Sequence, residues 1–314
     1  MAAESKTKHI INLILRYTVL ILVGFVMVYP LLWMVGATFK SNAEIFSSIG
    51  LFTAHPSLDG YKAAMQNYGG TINVWKAMLN TFSYVIPKVV FTMISATITA
   101  YGFGRFEFKG RGFLFAVMMA TLFLPQVVLN APQYIMFNKW GWTNSYLPLV
   151  IPSLFAADTY FVFMLIQFVR GVPKELEEAA KIDGAGEYRT FFQITLPLLK
   201  PSMAAVGFMM ATVYWNDWQN ALLYITSDRK KPLQLLLINI QKSIEFLLNN
   251  SNVPASVKAA MGGTIPQYSA TMATVIVVIG PIMVIYPFFQ KYFVKGVMLG
   301  SLKELSLIHI SEPT

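Results

Sequence analysis

Cysteine is absent from this chain of 314 residues. That excludes disulfides, thiolate metal sites and a cysteine nucleophile, and it leaves the redox compartment undecided. Charge is scarce as well: 12% of residues are Asp, Glu, Lys or Arg while 55% are hydrophobic, and the mean hydropathy is +0.54. An ordinary soluble domain carries about twice that share of charge, so the composition describes an integral membrane protein. Catalytic signatures are missing too. There is no Gly-x-x-x-x-Gly-Lys-Ser/Thr phosphate loop, no His-Glu-x-x-His zinc helix and no Gly-x-Ser-x-Gly elbow. The usual ATP site is therefore excluded from this chain. His9, His55 and His309 stand isolated, which favours surface or inert roles over metal ligation. The net charge of +9 needs no nucleic acid, because Lys and Arg flank membrane segments and anionic lipid is the simpler partner.

Six stretches are apolar over roughly 20 residues or more, the length that crosses a bilayer. They lie near residues 17–39, 79–104, 112–135, 146–169, 203–226 and 269–290. The first is too long for a signal-peptide core and lacks a convincing cleavage site, so it reads as an uncleaved span. Counting six spans puts Lys6, Lys8 and Arg16 on the same side as Arg105, Lys109 and Arg111. Arg170, Lys174, Lys181, Arg189, Lys200, Lys291, Lys295 and Lys303 join them. The short opposite loop, 138–145, carries only Lys139, so both termini and the basic loops are expected in the cytoplasm. Arg229, Lys230 and Lys231 fall outside, in a long loop where the charge rule is weak. The longer external segments, 40–78 and 227–268, mix aromatic, polar and turn residues and are expected to meet a partner. No solenoid repeat or linker divides the chain. The expected organisation is a cytoplasmic segment 1–16, one six-span domain 17–303, and a tail 304–314.

Between the fourth and fifth apolar stretches lies the charged segment 172–197. Pro173 suits a first helical turn, Lys174/Glu178 and Glu177/Lys181 stand at i,i+4, and Val172, Leu176, Ala179 and Ala180 share a face. A short amphipathic helix is predicted. Gly184 and Gly186 can end it with positive φ, and a second helix from about Glu187 gathers Tyr188, Phe191, Phe192 and Thr195 before Pro197 stops it. On these residues alone, a solvated loop folded on the membrane surface is the simpler account. The spacing is more specific: Glu178-Ala179-Ala180, Asp183-Gly184, then Ile194-x-Leu196-Pro197 resembles the EAA loop of importer-type ABC transporter permeases.

The resemblance extends over nearly the whole chain and is similar to carbohydrate permeases of the maltose-transporter type. It rests on Tyr29-Pro30-Leu31-Leu32-Trp33, on Leu79-Asn80-Thr81 with Ala100-Tyr101-Gly102-Phe103-Gly104-Arg105, and on Trp215-Asn216-Asp217-Trp218. The ending from Tyr286 to Gly296 resembles the LplC and YtcP type subgroup, whose members are implicated in uptake of complex oligosaccharides. After Lys303 the likeness stops, and residues 305–314 read as unrelated sequence from a cloning or reading-frame artefact. The resemblance implies an all-α integral membrane protein: six transmembrane helices with a cytoplasmic EAA coupling helix, the type I ABC importer permease fold. It implies a multi-pass subunit of the bacterial plasma membrane that is not itself an enzyme. The implied partners are a second homologous permease, two cytoplasmic ATPases that hold ATP and magnesium, and an extracellular sugar-binding lipoprotein. This chain would hold no cofactor. In the coupling loop the resemblance gives Glu178 an anchoring carboxylate, Ala179 and Ala180 close approach, and Gly184 the bend.

Polar groups inside spans mark the candidate translocation path, since ionisable groups facing lipid cost several kcal/mol. Asp217 lies about fifteen residues into the fifth stretch, roughly 22 Å from its cytoplasmic edge at 1.5 Å per residue. Asn216 and Asp217 can bond sugar hydroxyls while Trp215 or Trp218 stacks on a pyranose face; interhelical bonding with aromatic packing is the alternative. Asp158 is expected to pair with a deep cation such as Lys88. Pro125 and Pro132 fit either a pore-lining break or a packing kink. An ion-coupled secondary transporter, or an intramembrane hydrolase using Asp158 and Asp217, remain rival readings that leave the EAA spacing unexplained.

Overall fold

The computed structural model describes residues 2–65, 71–249, 254 and 267–308; His309 and the rest of the extreme C-terminus lie outside them. The described chain is built from helices. Five are long and apolar enough to cross a membrane: Ile10–Ala37, Val74–Arg105, Leu147–Gly171, Glu187–Trp215 and Tyr268–Tyr292. A sixth crossing exists only as a broken pair, Arg111–Thr121 and Gln126–Lys139, bent by 98°. The chain divides into two compact units, one of 1–68 and 237–279, the other of 69–236 and 280–314.

In the first unit, helix α1 (Ala2–Ala37) passes Pro30 without ending, and its apolar side chains stay exposed from Ile10 to Val28. That surface suits lipid or another subunit, since its helical backbone is satisfied internally. Helices α2 (Asn42–Ser47) and α3 (Asp59–Met65) follow. A Cβ on Gly36 would meet the Leu51 carbonyl oxygen at 2.1 Å, so only glycine admits this close approach. Buried Lys40 spends its ammonium on the carbonyls of Ser48 (3.4 Å) and Gly50. Lys40 thereby holds the stretch after α2 against the end of α1.

The second unit opens with α4 (Val74–Arg105), capped by Asn73, whose side chain accepts from Lys76 N at 2.9 Å. It continues with α5 (Arg111–Thr121), α6 (Gln126–Lys139) and α7 (Leu147–Val150), then a 3-10 turn, Ile151–Phe155. Next come α8 (Thr159–Gly171), α9 (Lys174–Ile182), α10 (Glu187–Thr190), a π turn (Phe191–Thr195), α11 (Leu196–Trp215) and α12 (Trp218–Tyr224). Helices α13 (Leu233–Asn249) and α14 (Gln267–Ile308) complete the described residues. The core joins Tyr84, Ala96 and Ala100 of α4 to Phe161, Leu165 and Ile166 of α8 and to Val206, Met210 and Tyr214 of α11. Helices α4 and α8 approach closely at Gly104, where a Cβ would sit 2.5 Å from Val169 Cγ1. Small residues at helix contacts serve this purpose in membranes. Gly104→Val is expected to wedge the pair apart at a cost of about 1–3 kcal/mol, read as a lower melting temperature of the purified chain in detergent.

Of the break and the kink left open for the prolines of the 112–135 stretch, Pro125 gives a break: it caps α6 with extended backbone, because it has no N–H to give and disfavours helical geometry in the residue before it. Three expectations about the helices are corrected, at the end of the fifth span, at Pro197 and at Gly186. The fifth span ends at Trp215 instead of 226, and it begins earlier, because Pro197 does not stop the preceding helix. A proline in the first turn of α11 gives up a donor it would not need there, and the π turn before it shifts the ladder's register. Gly184 takes positive φ (79°) as expected, but Gly186 does not, at φ −71°.

Candidate functional site

Hydrogen bonds mark the two ends of the second unit. At one end, Asn80 Nδ2 donates to the carbonyls of Arg229 (2.9 Å) and Lys231 (3.1 Å). Tyr146 Oη donates to Lys230 O (2.7 Å), and Ser227 N to Asn144 Oδ1 (3.0 Å). The loops 140–146 and 225–232 therefore share the end where α4 starts, and α9 lies where α4 finishes, at Arg105. A six-span count sorts these loops in the same way.

At the Arg105 end, α9 follows Pro173 and stops in a Schellman motif: Ala185 N donates to Ala180 O (2.9 Å) and Gly184 N to Lys181 O (3.0 Å). Positive φ at Gly184 makes that closure possible. Glu178, Ala179, Asp183 and Gly184 all face outward. The expected i,i+4 pair Glu177/Lys181 does not form. Glu177 turns inward, its Oε1 2.9 Å from Arg105 Nε and accepting from Thr195 Oγ1 at 2.8 Å. Lys181 binds Glu187 at 2.6 Å instead, and that hydrogen bond raises its pKa above the ordinary lysine value. Drawing Glu177 in rotates the helix, so Val172 and Ala180 are buried while Leu176 and Ala179 are exposed. The four were expected to share one face. Around them Ile182 and Tyr188 stand 86% and 84% exposed, an apolar patch on an otherwise charged segment. Ile194 and Leu196 are half-buried and Pro197 is exposed in the helical run into α11.

A cavity of about 460 Å³ opens toward the other end, within the range of small-molecule sites. Its lining combines amides (Gln126, Gln133, Asn220), aromatic rings (Phe137, Trp140, Trp142, Tyr224) and two ionisable groups, Lys88 and Asp158. Lys88 Nζ lies 3.6 Å from Asp217 Oδ2 and 4.2 Å from the Tyr214 ring centroid. Asp158 Oδ2 accepts from Tyr214 Oη at 2.6 Å and from Thr92 Oγ1 at 3.5 Å. Lys88 therefore pairs with Asp217, not with Asp158 as the sequence suggested. The helix break at Asn216 accounts for this: it frees Asp217 to cap α12, accepting from Asn220 N at 3.2 Å, and turns its second oxygen to Lys88. Burial, with a smaller contribution from the Asp217 charge, pushes the Tyr224 phenol above its usual pKa.

None of the sequence-chosen path residues lines this cavity. Trp215 is buried edge-on against Phe82, 5.1 Å between centroids, and borders a separate apolar cavity of about 200 Å³. Trp218 is half-buried, and Asn216 is exposed, its Oδ1 accepting from Gln234 Nε2 at 2.8 Å. Pro125 and Pro132 are exposed and off the lining. Pro125 nevertheless starts α6, and α6 carries Gln126 and Gln133 to the cavity, where their amides bond at 3.2 Å. The i,i+7 spacing of those glutamines was a readable signal that sequence reasoning passed over. Trp140 and Trp142 flank Gly141, whose φ of 70° turns the chain. Among the described residues no group of three or more His, Cys, Asp or Glu could hold a metal.

A family model described as a binding-protein-dependent transport system inner membrane component matches residues 11–299. The polygalacturonan/rhamnogalacturonan transport system permease protein YtcP of Bacillus subtilis (strain 168) is 29% identical over 92% of this chain and 97% of its own length. Protein LplC of the same organism is 29% identical over 90% and 91%. The diacetylchitobiose uptake system permease protein NgcG of Streptomyces coelicolor (strain ATCC BAA-471 / A3(2) / M145) is 28% identical over 92% and 88%. Among solved structures, a bacterial ABC transporter involved in the import of the acidic polysaccharide alginate has a chain that superposes with a TM-score of 0.72 at 20% identity. That match covers 90% of this chain and 96% of that one.

Proposed function

Because this chain belongs to the family of binding-protein-dependent transport inner membrane components, with the all-α type I importer permease fold, we propose that it forms half of an ATP-driven carbohydrate import pathway. The observation that carries this reading is the α9 segment. Its Glu178 and apolar Ile182 are presented outward on a helix closed by Gly184, and Tyr188 of α10 is exposed just beyond that turn, a short, mixed surface suited to a partner's groove. In this reading α9 is the EAA coupling helix and lies in the cytoplasm with both termini. Two ATPase subunits dock there and hold ATP and magnesium, and hydrolysis belongs to them. A second homologous permease completes the membrane pathway, and an extracellular sugar-binding lipoprotein delivers the carbohydrate. The cavity at the opposite end supports a sugar ligand chemically. Amides meet hydroxyls, indole and phenyl rings meet the apolar faces of pyranoses, and the Lys88–Asp217 pair is internally balanced.

Two measurements test the reading. A reporter fused after Gly186 is expected to score cytoplasmic and one placed within 251–260, of which residue 254 alone is among the described residues, extracytoplasmic. Proteoliposomes holding the chain with its second permease and ATPases are expected to take up oligosaccharide only with ATP and binding protein present. Uptake driven by an ion gradient without the ATPases would instead establish the secondary-transporter alternative.

A further inference from the structure

We infer that Arg105 and Glu177 form the joint through which movement of α9 reaches the second, fourth and fifth spans. The inference rests on the coupling reading of α9 given above. Arg105 is the last residue of α4. Its Nε lies 2.9 Å from Glu177 Oε1, and its Nη2 donates to the Val172 carbonyl at 2.6 Å, in the link between α8 and α9. The same carboxylate oxygen accepts from Thr195 at 2.8 Å, in the π turn that leads into α11. Two buried charged side chains, 4% and 11% exposed, thus tie one helix to the ends of three spans.

An ion pair is a poor choice for stability alone. Apolar residues of similar volume at such a site often hold a protein at least as well, because both charges must be desolvated. What the pair adds is connection. The planar guanidinium presents its donors in a fixed fork, and here Nη2 donates to Val172 O while Nε lies against the Glu177 carboxylate. The Arg105 Nε–H is not aligned for a hydrogen bond to Glu177, so that contact is ionic and non-directional, while the Val172 and Thr195 bonds are directional. The joint can therefore pivot at Glu177 without letting go. Adjacent glutamates divide the work: Glu178 faces outward to a partner, and Glu177 faces inward to the spans.

The chain's lack of cysteine allows a clean test. Spin labels on Ile182→Cys in α9 and Ile98→Cys in α4, both exposed, report their separation by pulsed electron resonance in the reconstituted full-length chain. A single narrow distance is expected, with Glu177→Gln broadening the distribution at least twofold. An unchanged width overturns the joint. In the assembled transporter, Arg105→Met combined with Glu177→Leu is expected to keep the chain folded and the ATPase bound while transport per ATP falls at least tenfold. Normal coupling in that double variant overturns the proposal and leaves the pair a packing element. If the labels broaden as expected but Glu178→Lys still binds the ATPase and imports normally, the coupling reading itself fails, and the inference with it.

Discussion

Gly184→Pro is expected to abolish import while the spans stay inserted. Gly184 holds φ at 79°, and proline fixes φ near −65°, so the substitution reverses the turn that ends α9. It also deletes the N–H that donates to Lys181 O at 3.0 Å, one of the two bonds of the Schellman motif. A helix of 9 residues has little stability of its own. A proline penalty of about 3 kcal/mol or more therefore exceeds what that helix can absorb, and the Glu178 face loses its fixed presentation. Gly184→Ala, which keeps the N–H and strains only φ, costs about 1–2 kcal/mol and is expected to leave partial uptake. Glu178→Lys disturbs no bond within the chain but reverses the charge offered to the partner, so loss of ATPase co-purification is expected with normal membrane insertion. The checks are substrate uptake by membrane vesicles, ATPase capture on the tagged permease, and permease content of the membrane. If Gly184→Pro and Glu178→Lys both import at the unmutated rate with the ATPase still required, 172–197 is a surface loop.

Gly184 was legible in the sequence because its signal is local: a glycine just past an amphipathic helix needs no tertiary context to be read as a left-handed cap. Glu177 was not legible. Pattern reasoning sends a carboxylate to solvent, and only the distant Arg105 at the end of α4 reverses that choice. Pro197 was misread because two rules compete at it, a proline that stops a helix and a proline that is welcome in the first turn, and the π turn before it decides. The break before Asp217 was not legible for a similar reason: Asn and Asp compete with the helical ladder through their own side chains, and α11 ends at Trp215. That one break also chose between two carboxylates for Lys88, a choice that composition and spacing could not make.

Asp217→Asn is expected to destabilise the second unit more than the loss of one contact would suggest. Asparagine is as good an N-cap as aspartate, so the start of α12 survives, but Lys88 is left with no counter-charge at 12% exposure. Removing one partner of a buried pair costs about 3–5 kcal/mol. Lys88→Met is expected to be as harmful, since it leaves Asp217 uncompensated. Combining Lys88→Met with Asp217→Asn removes both charges and is expected to restore most of the lost stability, so the melting temperatures of the four proteins form a double-mutant cycle with a large coupling energy. Uptake by the restored double variant then separates structure from recognition. If the pair serves only to brace the break at Asn216, uptake returns with stability. If Lys88, which lines the cavity, also holds a sugar hydroxyl, the double variant folds but its apparent substrate affinity falls roughly 5- to 150-fold, the equivalent of about 1–3 kcal/mol for a lost buried hydrogen bond. An additive cycle, in which the double variant is as unstable as the two single losses summed, would show that the charges at 3.6 Å do not depend on each other, and the balanced pair would drop out of the account of this cavity.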